Sequence, residues 1–211
     1  MKKYFYFGLP LFIFFSVEVY AQKIQTFSLG QLLKENKIIT FDVVPLNDGD
    51  KQGVSCSNGV FYLKDVNFSR GTIDVDLRGK DTCFLGIAFH GIDTATYESV
   101  YFRPFNFQSA DSLRKHHALQ YVSYPEYPWE RLRKEEPLVY EKATPSLLPG
   151  QWFHVRIDIK DDWITVFVNH ATEASLKIKS LSSHKNGLLG LWEFGEKNGD
   201  FANLIIKTDG K

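Results

Sequence analysis

From residue 71 onward, apolar side chains recur at every second position in short runs. Thr72-Ile73-Asp74-Val75-Asp76-Leu77 puts Ile73, Val75 and Leu77 on one face of an extended strand and Asp74 and Asp76 on the other. The alternation returns at Val155, Ile157 and Ile159 in WFHVRIDIK, after which Asp161-Asp162 turns the chain into WITVFVNH, the pattern of a hairpin. FYL, the run FLGIAF after Cys83, the segment around Tyr101, HALQYVSY, SLKIK, GLLGLWEF and FANLIIK complete a set of about ten strands with no long helix. Many short strands separated by turns build a sandwich or a barrel. No internal repeat, low-complexity tract or linker divides the chain, and 211 residues that are 44% hydrophobic fill one substantial core.

One segment interrupts the strands. Between Tyr124 and Pro137 the chain reads YPEYPWERLRKEEP, whose three prolines exclude a central strand. WERLRKEE suits about two helical turns, with Pro128 at a permitted first-turn position. Trp129 and Leu132 would face the body of the protein together and leave the charges in water. Residues 125–137 are therefore expected to form a short helical or loop excursion over an edge or mouth of the sheets.

The N-terminus reads as an address. MKK, an apolar run from Tyr4 to Val17 and Val19-Tyr20-Ala21 make the pattern of a signal peptide at residues 1–21, cut after Ala21 to leave residues 22–211 as a single mature domain. The run is too short, and too soon interrupted by Glu18, to span a membrane, and no cysteine stands near the cut to carry a lipid. The expectation is a bacterial exported protein, periplasmic or secreted, with no membrane insertion after cleavage.

Charge narrows the partners. Lys plus Arg and Asp plus Glu are both 25, which leaves no electrostatic footprint for a nucleic acid. Aromatic residues reach 15%, with 18 Phe and 10 Tyr against a single Met, which favours strands. Cys56 and Cys83 either join across strands in an oxidising compartment or stay separate thiols; Cys83 opening the apolar run FLGIAF favours separate, buried thiols.

GQWFHVRIDIKDDWITVFVN, followed by SLKIK, GLLGLWEF and DFANLII, resembles the C-terminal half of the concanavalin A-like lectin/glucanase superfamily, which includes laminin G-like modules. FLGIAFHG, YFRPFN and HALQY resemble a bacterial exported subgroup of it. The resemblance implies an all-β fold, a two-sheet antiparallel jelly-roll sandwich. Such sandwiches include lectins, glycosidases, sugar-binding modules and adhesion domains, so function rests on the site.

The motifs of catalysis are sparse. Retaining glucanases of that superfamily use Glu, Asp and Glu at near-alternate strand positions, whereas no Glu in this chain has an Asp two places later. Asp74 and Asp76, about 7 Å apart by strand geometry, read as the solvated side of a half-buried strand, and Glu193 and Glu196 as a turn around Gly195. Asp48-Gly49-Asp50-Lys51-Gln52-Gly53 starts like a calcium loop but meets Gly59 where a bidentate carboxylate belongs, so it reads as a turn. His116 and His117 are adjacent and would diverge in a strand, which gives zinc no support. The Asn67-Phe68-Ser69 sequon reads as accidental in a bacterial chain. No nucleophile elbow, Walker loop or dinucleotide fingerprint is present, and neither a metal nor another cofactor is expected.

Polar and aromatic residues instead gather in YESVYFRPFNFQSADSLRKHHALQY. With Leu85, Ile87 and Phe89 facing the core, Phe84, Gly86, Ala88 and His90 line the opposite face, and Gly86 with Ala88 leaves it shallow. Tyr97, Tyr101 and Arg103 share that side on the next strand, and HALQYVSY brings either His117 or Gln120 to it. Asn106, Arg114 and Trp129 complete the expected ring. Flat apolar faces to stack on a sugar, with planar donors and acceptors for its hydroxyls, fit an oligo- or polysaccharide. The favoured reading is a non-catalytic, lectin-like binder. The alternative is a glycoside hydrolase of the 3-keto-disaccharide hydrolase-like or glucanase-like type, and a third reading is an adhesion module that binds protein.

Overall fold

The computed structural model describes residues 23–39, 42–79, 82–195 and 198–208, so the signal peptide expected at residues 1–21 lies outside the described residues. In chain order the strands are β1 (Lys23–Phe27), β2 (Ile38–Ile39), β3 (Val43–Asp48), β4 (Lys51–Cys56), β5 (Gly59–Phe68), β6 (Gly71–Gly79), β7 (Phe84–Gly91) and β8 (Tyr97–Phe102). They continue with β9 (Leu119–Tyr124), β10 (Glu141–Lys142), β11 (Phe153–Lys160), β12 (Trp163–Val168), β13 (Leu176–Lys179), β14 (Gly187–Phe194) and β15 (Gly199–Thr208). An eight-stranded sheet runs β13-β12-β11-β6-β15-β4-β3, with β1 also paired to β15, and a seven-stranded sheet runs β10-β9-β8-β7-β14-β5-β2. The expected all-β jelly-roll sandwich is the observed fold.

The period-two pattern decides which residues fill the space between the sheets. Ile73, Val75, Leu77, Val155, Ile157, Val166 and Phe201 point inward from the larger sheet, and Phe61, Leu85, Ile87, Val100, Phe102 and Leu191 from the smaller, all buried. Aromatic edges lock the two layers together: Phe61 meets Phe201 at 5.8 Å and Phe102 meets Phe153 at 5.2 Å between ring centroids. Cys56 and Cys83 are both buried within this core, and burial pushes the Cys56 thiol up to about 12.

The hairpin of β11 and β12 closes where expected. Lys160 pairs with Trp163, and Asp161 and Asp162 both take the left-handed backbone, at φ of 48° and 66°, that a two-residue turn of matching twist requires. Gly49, at φ of 63°, turns β3 into β4, so the Asp48–Lys51 stretch is a hairpin turn.

Among the described residues helix is confined to short pieces: α1 (Leu29–Lys34), α2 (Ser112–His116), α3 (Trp129–Glu135) and a 3-10 turn at Pro104–Asn106. α3 realises the excursion expected at residues 125–137; Pro128 sits at its cap, one position before the first turn, and Leu132 is buried. α2 departs from expectation, because HALQYVSY becomes a strand only from Leu119, with His116 ending α2 and His117 capping it. The cause is local. Asp111 Oδ1 accepts hydrogen bonds from the Leu113 and Arg114 amides at 2.8 and 3.2 Å, and three basic side chains occupy the last turn. Among the described residues no helix is long and apolar enough to cross a membrane.

Candidate functional site

The outward face of the smaller sheet carries a cavity of about 920 Å³, and α2, α3 and the Pro104–Asn106 turn build its walls. Its floor is aromatic. Phe84 stands 6.2 Å from Tyr101, 5.4 Å from Phe105 and 6.3 Å from Phe194, and Tyr101 stands 5.2 Å from Trp192. Phe194, 63% exposed, forms part of the rim. Tyr97, Tyr124 and Trp129 line the cavity from β8, β9 and α3.

Glycine sets the depth of this floor differently from the sequence reading. A Cβ at Gly86 would fall 1.9 Å from Trp192 Nε1, so the missing side chain leaves room for an indole and not for an open hollow. Trp192 lies across Gly86, its cross-strand partner, and donates from Nε1 to Ser99 Oγ at 2.7 Å. Sequence reasoning placed GLLGLWEF as a strand but left Trp192 out of the site; the clue was that an inward Leu191 turns its neighbour outward onto the same face as Tyr101.

Arg103 is fixed beneath the cavity. Its guanidinium donates to the Tyr101 hydroxyl at 2.6 Å, the His117 carbonyl at 2.7 Å and Gln120 Oε1 at 3.3 Å, and lies 4.8 Å above the Tyr101 ring. Gln120 is fully buried and supports Arg103 from below without lining the cavity, while His117 does line it. Burial pushes the Arg103 pKa down, with the Tyr101 ring and Glu141 acting against that shift.

Glu141, from β10, is the hub that the sequence did not reveal. It is almost fully buried; Arg133 donates to it through Nε and Nη2, His117 Nδ1 stands 2.7 Å from Oε2, and Arg103 Nη1 stands 3.8 Å from Oε1. The His117 contact is close but poorly aligned, and burial holds the His117 pKa below its ordinary value despite the carboxylate beside it. Arg133 in turn lies 4.7 Å over the Trp129 ring, which ties α3 to the site.

The structure thus brings Tyr97, Tyr101, Arg103, Asn106, Arg114, His117 and Trp129 to one cavity. His90 is elsewhere, and this corrects the expected alternation. Its backbone is left-handed, at φ of 52°, where the β7–β14 register shifts, so the imidazole swings between the sheets and is only 2% exposed. There Nδ1 faces Glu98 Oε2 at 2.6 Å and Nε2 faces the Ser69 carbonyl at 2.8 Å, while Tyr121 donates to Glu98 Oε1 at 2.5 Å. Glu193 likewise is more than a turn residue. It touches the cavity wall at the end of β14, but it pairs with inward-facing Leu85 and is fully buried. Its carboxyl therefore turns between the sheets, where it accepts the Asn58 amide at 2.8 Å, keeps one oxygen unpartnered and is pushed up in pKa by burial.

Asp74 and Asp76 lie on the outer face of the other sheet, and neither is solvated. His154 Nδ1 reaches Asp76 Oδ1 at 2.9 Å and Nε2 reaches Asp74 Oδ1 at 3.2 Å, with Lys51 and Asn203 also on Asp76 and Lys207 at 3.4 Å from Asp74. Burial disfavours both charges, but these hydrogen bonds outweigh it, holding Asp76 at about 2 and raising His154 to about 9. Among the described residues no cluster of three or more His, Cys, Asp or Glu side chains is arranged to hold a metal.

No protein-family model matches the sequence, and no curated protein is significantly similar to it. Solved structures share its fold. The carbohydrate binding module CBM66 from Bacillus subtilis is 14% identical, with a TM-score of 0.57 over 81% of this chain and 95% of its own. A candidate glycosyl hydrolase from Parabacteroides distasonis is also 14% identical, with a TM-score of 0.58 over 87% and 98%. A galectin-like protein of unknown function from Bacillus subtilis, 9% identical, gives 0.54 over 90% of each chain. At these identities the likeness is one of fold.

Proposed function

We propose that this chain is an exported, carbohydrate-binding β-sandwich protein that holds an oligo- or polysaccharide in the cavity without cleaving it. The observation that carries the reading is an aromatic-walled cavity of about 920 Å³ whose central arginine is buried and immobilised by three hydrogen-bond acceptors. Rings such as Phe194, Phe84 and Trp129 offer flat faces for sugar C–H surfaces, and Arg103, Asn106 and His117 offer polar atoms for hydroxyls. A fold shared with a carbohydrate binding module supports the same reading. Export rests on the N-terminal pattern, and a mature protein whose intact mass begins at Gln22 is the expected finding.

Binding is preferred over hydrolysis because glycoside cleavage ordinarily needs two carboxyl groups facing one bond. Among the described residues lining the cavity, Glu193 is the sole acidic residue and turns its fully buried carboxyl between the sheets, and Glu141 lies beneath, bound to arginines. The second reading, a glycoside hydrolase, draws on the fold shared with a candidate glycosyl hydrolase. Screening the mature protein on a glycan array and then assaying the bound glycans for release of reducing ends separates the two. Binding without turnover is expected; release of reducing ends from a bound glycan would replace binding with hydrolysis. Trp129→Ala should weaken the glycan by about tenfold with little change in melting temperature, since the loss of one stacking ring is worth about 1–2 kcal/mol.

A further inference from the structure

The two outer faces of the sandwich treat charge differently. On the larger sheet, acids and bases are matched: Asp76 with Lys51, Asp74 and Asp76 with His154, Asp158 with Arg156, and both Asp48 and Asp200 with Arg78. In the cavity of the smaller sheet stand three arginines, Arg103, Arg114 and Arg133, and among the described residues their one ionic partner is Glu141, which lies beneath and meets Arg103 and Arg133.

How that carboxylate is used determines what remains. Glu141 takes Nε and Nη2 of Arg133, so both protons of Arg133 Nη1 are left without an acceptor among the described residues. Arg103 Nη2 is occupied by Tyr101 and Gln120, and its Nη1 by the His117 carbonyl, so Arg103 is mainly a fixed floor. The exposed side chain of Arg114 has no hydrogen-bond or ionic partner among the described residues. Glu193 offsets little of this charge, because it pairs with inward-facing Leu85 and its fully buried carboxyl lies between the sheets, away from the arginines.

Resting on the carbohydrate reading above, we infer that the cavity selects an acidic sugar, one bearing a carboxylate or sulfate, whose anionic group binds between Arg114 and the free edge of Arg133 while its ring stacks on the aromatic floor. A neutral sugar would leave those guanidinium edges to water. A planar fork facing an anion forms paired, charge-assisted hydrogen bonds, about twice as strong as neutral ones.

The test is a glycan array probed with the mature chain, on which oligogalacturonates, oligoglucuronates and sulfated galactans each stand beside their carboxyl-reduced or desulfated counterparts. Calorimetric titration of the best pair follows, at low and moderate salt. The acidic member is expected to bind at least about tenfold tighter, with the gap narrowing as salt screens it. Which member wins, carboxylate or sulfate, identifies the source of the anion. Arg114→Ala should lower the ratio of acidic to neutral affinity toward one, and Arg133→Lys should narrow it with the charge retained but the fork lost. If neutral members bind as well as acidic ones, the inference falls and the carbohydrate reading stands. If no glycan on the array binds, both fall.

Discussion

Single residues decide whether the cavity stays open and charged. Arg103, Tyr101 and Trp129 were legible because ring and guanidinium chemistry is conspicuous in an alternating strand, whereas Glu141 was not, because a glutamate in a two-residue strand has no surrounding pattern to reveal its burial. Glu141→Gln removes the charge shared by Arg103, Arg133 and His117 and leaves like charges facing one another. The expected loss is about 2–3 kcal/mol in denaturant unfolding, below the full value for a buried pair because Arg133 keeps contact with solvent. Gly86→Ala tests the floor. Its Cβ would strike Trp192, so the indole must leave and give up Ser99, which predicts a loss of about 2 kcal/mol and a changed near-ultraviolet tryptophan dichroism. An unchanged spectrum with native stability would mean that Trp192 does not depend on the space above Gly86.

Elements were legible in proportion to the length of their patterns. β6, β11 and β12 repeat the inward-outward alternation over several residues, and their pairing, Val155 with Val75 and with Val168, follows from it. α2 has five residues, too few to express a helical period, and only the cap at Asp111 marks its start. His90 escaped for a related reason: one left-handed residue at a register shift reverses a side chain, and nothing in FLGIAFHG marks that irregularity. The β11–β12 turn is readable and improvable. Asp162 holds a left-handed conformation that costs a non-glycine residue about 1 kcal/mol, and its ion pair with Lys185 is exposed and worth little. Asp162→Gly should therefore raise Tm by about 2 °C or more, because the backbone bond from Ser180 to the residue 162 carbonyl survives the change. A lower Tm would assign the Asp162 side chain a role that its contacts do not explain.

Taken as a whole, the molecule divides its labour between two faces, with the cavity on one and a packed ionic lattice on the other, and the second face links stability to pH. His154 stacks on His170 at 4.1 Å and bridges Asp74 and Asp76, which also meet Lys51, Asn203 and Lys207. Its folded pKa of about 9 lies above the ordinary value of 6.5, so the stabilisation from the charged ring is complete below about 6.5 and is lost as pH rises through 9. Asp76 runs the other way: at about 2, below its ordinary 3.8, it stabilises above 3.8 and loses that contribution as pH falls through 2. His117 also weakens the fold in acid, because its pKa is lowered and its protonation favours unfolding below its ordinary value. The limb between about 6.5 and 8 therefore reports His154, since the buried Cys56 thiol adds its own loss of stability only as pH nears 9. Unfolding free energy measured across that range should decline with pH in the native chain. In His154→Gln it should start lower, with two carboxylates deprived of their shared cation, and run flat. A mutant that kept the native slope would move the pH dependence away from this lattice.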